Sequence, residues 1–193
     1  MEGWPDRWRR AFVRSAGPGL ALFGAAYLAL AEIGDWLTGR KGAFATFWPA
    51  AGLYVAMLLL SERSRWPGIV AVAAACDALV SWHVGRSLPI AAATVPADAL
   101  EAVLAAWLAL RALGGRPSMS RLRDVLVLMA LSAGLAPAIG GVPTAIAGAV
   151  RYGLPLHAVW LDWWSGDALG ILIVAPLLLA WAGPPGPGRN VIR

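Results

Sequence analysis

The sequence predicts an all-α protein, a polytopic bundle of about six transmembrane helices with both termini in the cytoplasm. Three observations carry that reading. Apolar residues make up 59% of the 193, and charged residues only 14%, where a soluble domain holds about 25% charged; the mean hydropathy is +0.65. The apolar residues gather in six runs, about 16–37, 46–62, 66–85, 88–111, 123–149 and 156–181, against the roughly 20 residues a helix needs to cross a bilayer. The basic residues are also asymmetric. With the N-terminus inside, the cytoplasmic side holds Arg7, Arg9, Arg10, Arg14, Arg63, Arg65, Arg111, Arg116, Arg121, Arg123, Arg189 and Arg193, and the outer side only Arg40, Lys41, Arg86 and Arg151. Such a bias sets orientation, so the net charge of +5 reads as a topology signal and not as a nucleic-acid surface.

The elements follow in order. Residues 1–15 form a basic cytoplasmic N-terminus. The first run, although preceded by Arg9 and Arg10, passes 20 residues with no small-residue cleavage site after it, so it is a retained span and not a signal peptide. The connections Gly39 to Gly42 and Ser61 to Arg65 are short, and Gly114 to Arg121, with Gly115 and Pro117, is an irregular loop. Cys76, the single cysteine, excludes an intrachain disulfide and reads as a packed thiol in span three. Span five, Arg123 to Val150, is longer than a crossing requires and carries Pro137, Gly140, Gly141 and Pro143 in its outer half. Proline removes a backbone donor, so this span is either a broken helix beside a pocket or a kinked, tilted one. Residues 16–182 thus form the membrane domain. Residues 183–193 are a Pro/Gly-rich cytoplasmic linker or truncated tail, at the place where a soluble effector would be attached.

The carboxylates inside the spans are the main candidates for function, because a charge at mid-bilayer costs about 2.5–3.5 kcal/mol on insertion scales. Glu32 and Asp35 fall near the outer end of span one, Asp77 near the middle of span three, Asp98 and Glu101 in span four, and Asp162 and Asp167 in the outer half of span six. The nearest cations are Arg86, His83, Arg151 and His157 at the outer rim, an arrangement that predicts an acidic, water-accessible cavity open to the outside. Helical spacing sorts these acids. Asp98 and Glu101, three apart, share a face; Trp160, Trp163, Trp164 and Asp167 form one stripe, and Asp162 stands roughly 140° away from Asp167. A carboxylate bordered by indole faces suits an organic cation or amine, while helix packing is the alternative for Trp163 and Trp164. Trp36, Trp48, Trp66, Trp82, Trp160 and Trp181 lie near span ends and fit an interfacial belt. Gly166 and Gly170 form a small-xxx-small pair suited to close helix approach. No hydrolytic, phosphate-binding or metal-ligand motif is present, so no catalytic residue, cofactor or metal is assigned.

Several segments together resemble the membrane-associated sensor domain of the first MASE class, over about residues 20–182. They are Phe47-Trp48-Pro49-Ala50-Ala51-Gly52-Leu53, Arg65-Trp66-Pro67-Gly68-Ile69, Leu100-Glu101-Ala102, Arg121-Leu122-Arg123-Asp124-Val125, and Trp163-Trp164-Ser165-Gly166-Asp167-Ala168-Leu169-Gly170 running into Val174-Ala175-Pro176-Leu177. The resemblance implies a sensory input module that feeds a cyclic-di-GMP enzyme or a histidine kinase of a two-component system. It also implies roles for Trp48, Pro49, Gly52, Trp66, Pro67, Glu101, Trp164, Gly166, Asp167, Gly170 and Pro176. Two features depart from the family pattern: Asp77 and Asp98 stand where an amide is expected, and the further helices and output domain do not follow.

The expectation is therefore a six-helix module of the bacterial inner membrane that perceives a solute or a partner protein. The candidate ligand or signalling residues are Asp167, Glu101, Trp164, Trp163, Asp98, Asp77, Asp162 and Glu32. Its partners are the lipid bilayer, a cytoplasmic effector and a possible second copy, with no nucleic acid. The alternative is the substrate-binding subunit of a vitamin or small-solute uptake transporter, and a structural anchor is a third reading.

Overall fold

A computed structural model describes residues 16–37 and 46–182. The basic N-terminus, the Gly39 to Gly42 connection and the Pro/Gly-rich tail lie outside the described residues. Six helices account for most of the rest, and no strand occurs among the described residues: α1 Ala16–Leu37, α2 Pro49–Leu60, α3 Trp66–His83, α4 Leu88–Leu113, α5 Leu122–Tyr152 and α6 Leu156–Ala182. Local chemistry sets their ends. Pro49, Pro67 and Pro89 each stand in a first turn, where a missing N–H costs nothing. Gly114 and Gly153 close α4 and α5 in the left-handed conformation, their N–H groups bonded to the Leu110 and Ala149 carbonyls.

Four helices, α1, α4, α5 and α6, are long and apolar enough to cross a membrane. Their surfaces agree: Leu22, Leu100, Ile146, Ile173 and Leu177 are exposed, an apolar outward face of the kind that lipid covers. The chain is thus a multi-pass helical membrane protein. The second span is shorter than its apolar run of 46–62. Only Pro49–Leu60 is helical, about 18 Å against a hydrocarbon core of about 30 Å. Eleven of its 12 residues are buried. A helix apolar on every side belongs inside a bundle, and α2 packs there against α6, α4 and α1. Its Tyr54 joins Phe23 and Tyr27 of α1 in an aromatic trio with ring centroids 5.7–6.1 Å apart.

Span five is continuous through Pro143, so it is not broken in its outer half. Its irregularity lies earlier, as a π-helical stretch over Leu128–Leu135 directly ahead of Pro137. Proline removes the N–H that its preceding turn would use, and a widened turn is one way to absorb that loss. Side chains then supply bonds to the region. Ser132 donates to the Ala105 carbonyl (2.9 Å), and the Trp164 and Trp160 indoles donate to the Gly134 (2.8 Å) and Ala138 (2.9 Å) carbonyls. Within the expected tryptophan belt, Trp36, Trp82 and Trp181 are strongly exposed, but Trp48 is buried and Trp160 is half-buried, its indole turned onto α5. Position along a span does not fix side-chain direction.

Candidate functional site

Four carboxyl groups lie in the interior of the bundle. Asp77 of α3, Glu101 of α4 and Asp167 of α6 are buried, and Asp98 of α4 is half-buried. Each is placed by its helix phase: Glu101 shares the inward face of α4 with the buried Ala97 and Ala105, and Asp167 shares that of α6 with Trp163 and Gly170. The Glu101 and Asp167 carboxyls face each other across the α4–α6 interface, within interaction range. Trp163 Nε1 donates to Glu101 Oε2 at 3.3 Å. Asp98 lies within electrostatic range of Asp77, Glu101 and Asp167, so the four acids share one electrostatic environment across three helices without the close grouping of a metal centre. At its other end the Tyr27 hydroxyl of α1 donates to Asp77 Oδ1 at 2.8 Å.

Small residues make this convergence possible. A Cβ on Gly140 of α5 would stand 2.7 Å from Glu101 Cβ, and one on Gly141 would overlap the Trp163 indole. One to two turns further along α6, the backbone itself is in contact with the start of α2. The Trp48 N–H donates to the Gly166 carbonyl at 3.0 Å, a Cβ on Gly170 would overlap the Trp48 carbonyl, and one on Gly52 would overlap the Gly170 carbonyl. Two of the segments that carried the family resemblance are thus the two halves of one seam.

At the end of the bundle shared by the α1 C-terminus and the α3–α4 turn, Arg86 bonds Asp35 at 2.8 Å and lies over the Trp48 ring at 5.8 Å. His83 and Glu32 are 3.9 Å apart on an exposed surface, a pairing of little energetic weight. The remaining candidates separate cleanly. Asp162 is exposed, turned away from Asp167 as the helical spacing requires. Trp164 is stacked on Trp160 at 5.8 Å, with its indole N–H on α5. Glu32 belongs to the exposed pair with His83 and not to the central group. Three participants escaped sequence reasoning: Tyr27, Tyr54 and Ser81. For Ser81 the available signal was its spacing, four residues after Asp77. The tyrosines carry no mark in one dimension beyond a hydroxyl inside an apolar run.

The fold and site define a class: a helical membrane protein whose polar chemistry is buried between helices. The family model for MASE1 matches residues 19–185, and the chain belongs to that family, whose members serve as membrane sensory input domains in signalling. No curated protein and no solved structure matches the chain significantly.

Proposed function

We propose that the chain is the input module of an inner-membrane signalling system with both ends in the cytoplasm. A solute or partner protein acts on the carboxyl group between α3, α4 and α6, and α6 passes the change to a cyclic-di-GMP enzyme or histidine kinase. The chain itself performs no reaction in this reading, and its basic residues orient it without binding nucleic acid. The observation that carries the proposal is the position of Asp167. It faces Glu101 on one side, and it lies between Gly166 and Gly170, where α6 touches α2. A change in the carboxyl pair therefore acts on the same turns of α6 that set its register against α2. A stimulus drives such a switch only through different affinities for two packings.

The test is a fusion of residues 1–193 to a cyclic-di-GMP synthase domain, with Asp167→Asn compared with the unaltered chain at equal membrane levels. A coupling of ordinary size changes output by about fivefold or more. Equal output from both proteins would refute the assignment of Asp167. A homodimer is the arrangement in which such a fusion would act, and cross-linking of the fusion in membranes checks it.

A further inference from the structure

Three polar oxygens beside the carboxyl group have no hydrogen-bond partner: Asp77 Oδ2, Ser81 Oγ and the Tyr54 hydroxyl. Their residues are only 4%, 2% and 1% exposed. Asp77 and Ser81 are four apart on α3 and so adjacent on one face. Tyr54 reaches the same region from α2. Its ring stands edge-on to Tyr27 at 5.9 Å, whose hydroxyl is bonded to Asp77, and it lies within electrostatic range of Asp77 and Asp98. A buried oxygen left without a partner is costly, and three from two neighbouring helices in one region call for a shared ligand.

Charge identifies its class. Around these oxygens stand the carboxyls of Asp77 on α3, of Asp98 and Glu101 on α4, and of Asp167 on α6. From α1 come neutral Tyr27 and, at the outer end, Glu32 and Asp35; α3 adds the Cys76 thiol and His83, the latter beside Glu32. From α5 come only the hydroxyls of Ser132 and Thr144, both bonded to α4 carbonyls. Arg86 is the cation in electrostatic reach of Asp77 and Asp98, and it is already paired with Asp35. The balance is negative. Among the described residues no three acids, histidines or cysteines are grouped as a metal centre would need, which argues against a divalent ion.

We propose that Asp77, Ser81 and Tyr54 form a site for a small monovalent cation, a sodium ion or a proton, held between α2 and α3. Oxygen donors are what a hard cation takes. The site stands independently of the sensory reading, since a cation is bound or not whatever output follows.

The experiment is thermal unfolding of the purified chain in detergent, in sodium, potassium or choline chloride at equal ionic strength, and over a series of pH values. A stabilisation that saturates with sodium and needs at least about tenfold more sodium in Asp77→Asn identifies sodium. No salt preference, but a pH profile that shifts in Tyr54→Phe or Ser81→Ala as well as in Asp77→Asn, identifies the proton. The same unfolding temperature in all three salts, with an unchanged pH profile in the variant, overturns the proposal. Tyr54→Phe and Ser81→Ala keep the test decisive if Asp77→Asn does not fold, because each removes a hydroxyl that makes no bond within the protein: an unshifted cation or pH dependence in both overturns the site. Because the readout is binding to the purified chain, its failure is separate from any failure of the signalling fusion.

Discussion

A single methyl group on Gly170 tests the seam between α2 and α6. A Cβ there overlaps the Trp48 carbonyl oxygen, with the Trp48 carbonyl carbon at 2.7 Å and the Pro49 nitrogen at 3.3 Å. All three atoms are backbone, so no rotamer change relieves the clash; α2 or α6 has to move. Overpacking of a core costs about 1–3 kcal/mol, and a contact with backbone alone belongs at the upper end, about 3 kcal/mol. The Gly→Ala gain in helix propensity, about 0.8–1 kcal/mol, offsets part of this and leaves about 2 kcal/mol. For a chain of this size that is about 4–8 °C in unfolding temperature, at about 2–4 °C per kcal/mol. Gly68→Ala is the internal control, since its Cβ meets only the end of the flexible Leu20 side chain at 3.4 Å, and it should be neutral or stabilising. Thermal unfolding in detergent, followed by tryptophan fluorescence, reads both. Gly170→Ala unfolding within about 1 °C of the unaltered protein, where the ledger expects about 4–8 °C, would refute the backbone-contact account.

Three further outcomes follow from the same geometry. Trp164→Phe removes the N–H that reaches the Gly134 carbonyl; it should cost about 1 kcal/mol and speed amide exchange in the π-helical stretch of α5, measured by hydrogen–deuterium exchange. Tyr27→Phe withdraws the donor from buried Asp77 Oδ1, for an expected loss of about 1–3 kcal/mol in the same unfolding assay. Asp162→Asn, on an exposed face, should change stability by less than about 0.5 kcal/mol and leave the output of the signalling fusion unaltered, in contrast to Asp167→Asn.

What could be read in one dimension was whatever depends on helix phase. Asp162 and Asp167 differ in facing because five residues turn a helix by roughly 140°, and the structure has one exposed and the other buried. The six helices were legible because apolar runs, prolines and glycines mark their limits locally. Partners were not legible. Glu101 and Asp167 are 66 residues apart in sequence, and nothing local pairs them. The Gly166 and Gly170 spacing announced a close approach, but not that the approaching backbone would be Trp48 and Gly52. The same limit explains Trp48 and Trp160: their place near span ends suits an interface, yet the direction of a side chain depends on the helix opposite. The shortness of α2 had a local sign, since Pro49–Leu60 contains no charged residue and no polar face, but its enclosure by α1, α4 and α6 is a property of the assembled bundle.

Two polar features that look separate converge on one short segment. Arg86, bonded to Asp35, lies over the Trp48 ring, while the Trp48 backbone is bonded to Gly166 and touches Gly170. One residue beyond Gly166, Asp167 joins Glu101. The Arg86–Asp35 pair and the buried carboxyl pair therefore act on opposite sides of the Trp48–α6 contact, and neither should be altered without the other sensing it. Distant, independent sites add to within about 0.3–0.5 kcal/mol, whereas groups coupled through a shared backbone shift depart by about 0.5–3 kcal/mol. A double-mutant cycle on Arg86→Ala and Asp167→Asn, read by unfolding free energy, should give a coupling in the second range, and Arg86→Ala should also change the output of the signalling fusion. Arg86→Ala paired with Trp164→Phe, whose indole bonds α5 and not α2, should remain additive. If the first pair is as additive as the second, the Trp48 segment transmits nothing, and the Arg86–Asp35 pair and the carboxyl group are independent parts of the bundle.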